Sequence, residues 1–160
     1  YMKSPKSLDK TKSYYNETKS LKSYEIKEFS FLYTLLAKPK LIYENFHLLD
    51  NVKLYSDENK QLFAEILNQS ENLFNLDVQK LNVDKNLLDR VKNYASVKHI
   101  ISKNLNNDEK ILEIFTEIIQ DLKNYELEQR IIDLESKFSK DLSEDTFNEL
   151  KELKKLQKIN

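Results

Sequence analysis

The stretch DEKILEIFTEIIQDLKNYELEQRIIDLESKF, residues 108–138, decides how this chain folds. It holds no Pro and no Gly, and at about 1.5 Å per residue it makes a helix of roughly 46 Å. Its apolar positions change face partway along. Ile111, Phe115, Ile118, Leu122 and Tyr125 step by four and three and form one stripe, which fails at Gln129. A second stripe then starts with Leu127, Ile131, Leu134 and Phe138. Tyr125 and Leu127 lie about 200° apart around a helix of 3.6 residues per turn. One continuous helix would therefore bury opposite faces in its two halves. An apolar stripe is buried only against a partner, so two stripes imply two partners. The first half should close a body built from residues before 108, and the second should pair with the residues after 138. A helix kinked near Tyr125 inside a single bundle is the alternative, and the residues leave it open.

The tail supplies the second partner. Ser143 can cap a helix from Glu144 to about Lys158, with Glu144, Asp145 and Glu149 early and Lys154, Lys155 and Lys158 late, as the helix dipole prefers. Its stripe of Phe147, Leu150, Leu153 and Leu156 matches Leu127, Ile131, Leu134 and Phe138 in reverse order, which predicts an antiparallel helical hairpin.

Upstream, the body reads as a series of helices. Ser23 offers a cap for Tyr24 to Ala37, where Ile26, Phe29, Phe31, Leu32, Tyr33, Leu35 and Leu36 are too many for one stripe. That makes it the expected central, buried helix. Lys38-Pro39 stops it, and Pro39 can start a short helix to about Phe46, with Leu41, Ile42 and Phe46 inward. Residues 52–55 read as extended. Ser56 caps a helix with Leu62, Phe63, Ile66 and Leu67 on its buried face. A short helix is expected around 71–76. Asp84 caps another helix reaching about Ser102, and Asn107 caps the long one. The expected fold is all-α: a helical bundle over 24–125, continuing through the long helix into a C-terminal antiparallel hairpin over 126–160. Residues 1–23 are expected to be a polar linker, and the opening Tyr1-Met2 with its lysine-rich run points to a piece of a longer chain.

Composition narrows function by exclusion. With no Cys, no Gly and two isolated His, thiol chemistry, Gly-rich phosphate loops and nucleophile elbows are out of reach. His47 and His99 have no metal-ligand spacing around them, and no Glu-x-x-His pair exists for a di-metal bundle site. Carboxylates are expected on wet helix faces, with none amid an apolar run where burial would raise its pKa. Catalytic residues and metal ligands are therefore both expected to be none. The net charge of −1 is uneven, from +4 over residues 1–23 to −5 over residues 108–160. A direct nucleic-acid site is not expected in this chain. No apolar run is long enough to span a bilayer, so cytoplasmic placement is expected.

Taken together, the apolar first helix (Leu32-x-x-Leu35-Leu36-x-x-Pro39), Leu62-Phe63 on a later helix, the run Leu127-Glu128-Gln129-Arg130-Ile131-Ile132-Asp133-Leu134-Glu135 and the short closing helix resemble the C-terminal helicase-binding domain of bacterial DnaG-type primases. The likeness covers residues 24–160. It implies that the hairpin docks on the hexameric replicative DNA helicase and recruits the primase that synthesises RNA primers in the bacterial replisome. It also implies that zinc and magnesium belong to other parts of the parent enzyme. Amphipathicity and position on the hairpin, rather than a shared motif, single out Arg130, Leu134, Phe138, Leu142, Phe147, Leu150 and Lys154 as expected helicase-interface residues. A hairpin this small is also able to swap between two copies. The competing expectations are the N-terminal self-association domain of the replicative helicase and a generic coiled-coil adaptor. The lysine-rich leader and basic final residues weigh against the first, and the stripe break at Gln129 weighs against the second.

Overall fold

A computed structural model describes residues 21–50, 52–69 and 76–159. Residues 1–20 of the expected linker lie outside that set. So does most of the short helix the sequence predicts around 71–76, and Leu76 itself is not helical. The described residues form an all-helical fold: α1 (Ser23–Ala37), α2 (Lys40–Glu44), α3 (Phe46–Leu49), α4 (Asp57–Asn68), a 3-10 turn (Val78–Lys80), α5 (Lys85–Tyr94), α6 (Lys98–Lys103), α7 (Asp108–Phe138) and α8 (Glu144–Ile159).

Helix α1 is the hub, packing against α4, α5, α6 and α7. Phe29, Phe31, Leu32 and Leu35 are all fully buried, which is what an apolar run wider than one stripe requires. Phe31 stacks on Phe115 of α7 (5.7 Å between ring centres) and meets the edge of Phe63 of α4 (5.2 Å). Ser30 and Thr34 are buried too, and each donates its hydroxyl hydrogen to the carbonyl four residues back, at 2.9 and 2.8 Å. That local bond removes most of the cost of burying a hydroxyl. Arg90 of α5 stands over the Phe29 ring and donates to Glu25 of α1 and Glu58 of α4, tying three helices at one corner.

Four boundaries follow side-chain chemistry. The Ser56, Asp84, Asn107 and Ser143 side chains each accept an N–H from the first turn of the helix they precede, as the sequence predicts. The start of α1 differs. Ser23 is already helical, Lys22 occupies the cap, and the Glu25 carboxylate takes the Lys22 N–H (2.8 Å). None of the described residues has a positive φ, so no described turn uses the left-handed region.

Two expectations are corrected. The helix predicted from Asp84 to Ser102 is two, α5 and α6, broken at Ala95, where the backbone turns extended. Ser96 N–H donates to the buried Ser30 Oγ (3.1 Å), and the two hydroxyls also meet at 3.0 Å. This long-range bond outweighs the local preference to continue, and it lets Val91, Ala95 and Ile101 all reach the core. Phe46, expected inward, is 57% exposed. The chain breaks at Asn45 into two short helices, so Leu49 takes the inward position.

Helix α7 is uninterrupted from Asp108 to Phe138. Its start is pinned to the end of α1, where Lys38 Nζ lies 2.5 Å from Asp108 and donates to the Leu105 carbonyl at 2.8 Å. Ile111, Ile114, Phe115, Ile118, Ile119 and Leu122 complete the body core. Past Leu122 the helix leaves that core, and Ile131 and Leu134 join Leu150 and Leu153 of α8 in a second, smaller one. The two cores should separate under mutation. Phe115→Ala should lower global stability by about 3–5 kcal/mol in urea unfolding. Leu153→Ala should cost about 2 kcal/mol, with amide protection lost along residues 127–158 and kept in α1.

Candidate partner-docking arm

The candidate site is the helical pair formed by the second half of α7 and by α8. Helix α7 ends in a turn held by the Asp141 N–H on the Lys137 carbonyl (2.9 Å) and the Ser139 hydroxyl on the Glu135 carbonyl (2.8 Å). Helix α8 then runs back antiparallel, with Phe138 and Phe147 in contact at the tip (5.7 Å) and Ile131, Leu134, Leu150 and Leu153 buried together further in. Two ion pairs flank the apolar seam: Arg130 with Glu149 at 2.5 Å and Lys154 with Glu135 at 2.6 Å. Both are exposed, so they set register more than they add stability.

The residues singled out from sequence divide into two groups. Leu134 and Leu150 are buried in the seam and hold the pair together, so they offer nothing to an outside partner. Phe138 is half-buried against Phe147. Arg130 and Lys154 are exposed but engaged in the two flanking ion pairs. Leu142, in the turn, is 79% exposed, and Phe147 is 49% exposed. Sequence reasoning missed two further apolar groups. Ile132 is 54% exposed because it belongs to neither stripe of α7. Leu156 is 52% exposed although its spacing assigns it to the seam. Beyond Leu153 the opposing helix has passed Ile131 and supplies only the partly buried Leu127. The arm thus carries four outward apolar side chains, more than a solvated hairpin needs.

Three tyrosines form a collar where the arm leaves the body. Tyr125 of α7 packs on Tyr24 of α1 (5.8 Å) and meets Tyr55 edge-on (5.3 Å), and Tyr24 also touches Tyr55 (5.8 Å). Lys53 adds an ion pair to Glu126 at 3.1 Å. Burial raises the pKa of the Tyr55 and Tyr125 phenols above the ordinary value.

Glu28 of α1 lies beneath the collar and corrects the expectation that every carboxylate sits on a wet face. It is fully buried. Its oxygens accept the backbone N–H groups of Tyr55 and Ser56 and the side-chain amide of Asn59 (2.6 Å). The N–H groups just before α4 would otherwise be orphaned, so a buried carboxylate in α1 positions the segment that carries Tyr55. The sequence hides this because Glu28 is separated from its partners by the whole α1–α4 connection. Burial raises its pKa above the ordinary 4.5 despite three donors, and Glu25 adds to the rise. Enclosed on all sides, it has no access to a substrate. The Asn59 Oδ1 beside it is buried without a hydrogen-bond partner.

His47 and His99 are both exposed. Among the described residues, no group of three or more His, Cys, Asp or Glu is placed to hold a metal ion, and no helix is long and apolar enough to cross a membrane. Compared with known protein families, curated proteins and solved structures, the chain matches none.

Glu28 and the collar each generate a measurement. The folded state binds the Glu28 proton more tightly than the unfolded chain does. Its stabilising contribution is therefore complete below pH 4.5 and declines as pH rises through the folded value. In urea unfolding at a series of pH values, the wild type should lose stability relative to Glu28→Gln between pH 4.5 and neutrality; a flat or rising difference would refute this. For the collar, a double-mutant cycle with Tyr55→Leu and Tyr125→Leu should return a coupling of about 0.5–1.5 kcal/mol.

Proposed function

We propose that residues 24–160 are the helicase-binding domain of a bacterial DnaG-type primase. In this reading the arm docks on the hexameric replicative helicase and brings a primer-synthesising enzyme to the replication fork, in the cytoplasm. Catalysis, with its zinc and magnesium, resides in other parts of the parent chain.

The observation that supports it is the path of α7. One helix closes a body core with its first half and forms a separate seam with its second, so the body carries a helical pair with a core of its own. The side chains at the tip and flank of that element, Leu142, Phe147, Ile132 and Leu156, are apolar and exposed. A projecting pair with an apolar outer surface suits recognition of a protein groove by a helix face. The coiled-coil adaptor is a poorer fit, since α7 buries two faces in turn and no single seam runs its length.

The test is a pull-down with the replicative helicase of the same organism. Wild-type chain should be retained. Leu142→Ser with Phe147→Ser should weaken retention at least about tenfold with an unchanged circular dichroism spectrum, as expected when exposed anchors are lost from an interface centre. Removal of residues 127–160 should abolish it. Retention that survives this deletion would refute docking by the arm.

A further inference from the structure

The outward face of α8 has a chemistry of its own. A shallow groove of about 390 Å³ runs along it, lined by Phe147, Leu150, Lys151, Lys154, Lys155 and Lys158. Phe147, Lys151, Lys154 and Lys158 follow at steps of four, three and four, so they share one helix face about 17 Å long. Phe147, Leu150 and the methylene stems of the lysines make the floor apolar, and the ammonium groups stand at the rim. Two of the four lysines are already engaged, Lys154 with Glu135 and Lys155 with Glu152, each at 2.6 Å. Lys151 and Lys158 form no ion pair among the described residues. An apolar floor flanked by two cations outside any ion pair is thus left on the acidic C-terminal third of the chain.

We infer that this groove seats an acidic amphipathic helix of a partner protein, with the partner's apolar ridge on Phe147 and the lysine stems and its carboxylates against Lys151 and Lys158. The inference deepens the docking reading above and rests on it. It moves the main contact from the arm's tip to the length of α8 and gives the partner surface its charge. Charge complementarity sets the choice of occupant. A phosphate backbone carries continuous charge and gains nothing from an apolar floor. Discrete carboxylates flanking an apolar ridge match both features. The groove is built on regular helix, so little ordering is needed when a helix docks.

The test uses the full 160-residue chain, nitrogen-labelled for amide NMR, and two synthetic amphipathic helical peptides of about six turns. They share a leucine face and carry glutamates or lysines along its flanks. The glutamate peptide should bind and shift amides confined to residues 147–158. Lys151→Glu with Lys158→Glu, at two exposed and unpaired positions, should weaken it about tenfold at low salt while leaving the free spectrum folded. No binding by the glutamate peptide would overturn the proposal. So would equal binding by the lysine peptide, indifference to the two substitutions, or single-stranded DNA binding with the same lysine dependence. Self-association of the chain that the same substitutions abolish would also overturn it, by making a second copy the occupant. The helicase pull-down separates the two readings. Helicase held equally by the wild type and the charge-reversed chain overturns the groove and leaves arm docking intact. Helicase held by neither overturns the helicase reading, and the peptides then decide the groove.

Discussion

An uninterrupted helix fixes the direction of every side chain it carries. Helix α7 holds no Pro or Gly and stays helical from Asp108 to Phe138, so its two apolar stripes, half a turn apart, cannot share one core. The body ends where the first stripe ends, at Leu122, and the arm begins where the second begins, at Leu127. The short interval between them, with Tyr125 and Glu126, must serve both. There the structure places its aromatic collar and the Lys53–Glu126 ion pair.

Buried polar chemistry in α1 controls what surrounds that interval. Glu28 anchors the segment before α4 and so presents Tyr55 to Tyr125, while Ser30 anchors the break between α5 and α6. Each polar group sits among phenylalanines on the most apolar helix, and each fixes a place where the chain must stop being helical. The apolar residues around them supply the driving force for collapse, and these two fix which collapsed arrangement results. The two arginines of this lysine-rich chain have comparable posts. Arg90 spans three helices of the body, and Arg130 bridges the arm. A planar fork of donors holds such geometry better than a flexible ammonium.

Periodicity and capping were legible without coordinates, because both are local. The handover from one stripe to the other, the caps at Ser56, Asp84, Asn107 and Ser143 and the antiparallel return of α8 all follow from residues within a few turns of one another. The misses are non-local or marginal. Glu28 looks like any surface glutamate until the α4 segment arrives from 27 residues away. The Ala95 break depends on Ser30, 66 positions upstream of Ser96. Phe46 and Leu156 carry the right spacing at elements too short, or too near the end of a seam, to bury them. The outward surface of the arm was only half visible for a related reason. A stripe predicts which residues face the neighbouring helix and is silent on those left over, such as Ile132 and Lys151.

The backbone reaches every turn among the described residues without a single left-handed position. Most folds tie some bends to glycine, and those sites resist substitution. Here the junctions before α4, α5, α7 and α8 ask only for a small oxygen-bearing side chain at the head of a helix, a role that Ser, Thr, Asp and Asn exchange at little loss. The architecture therefore sets few letter-by-letter requirements outside its two cores. Descendants of this sequence are free to drift widely in their connections and still be drawn with the rods described above.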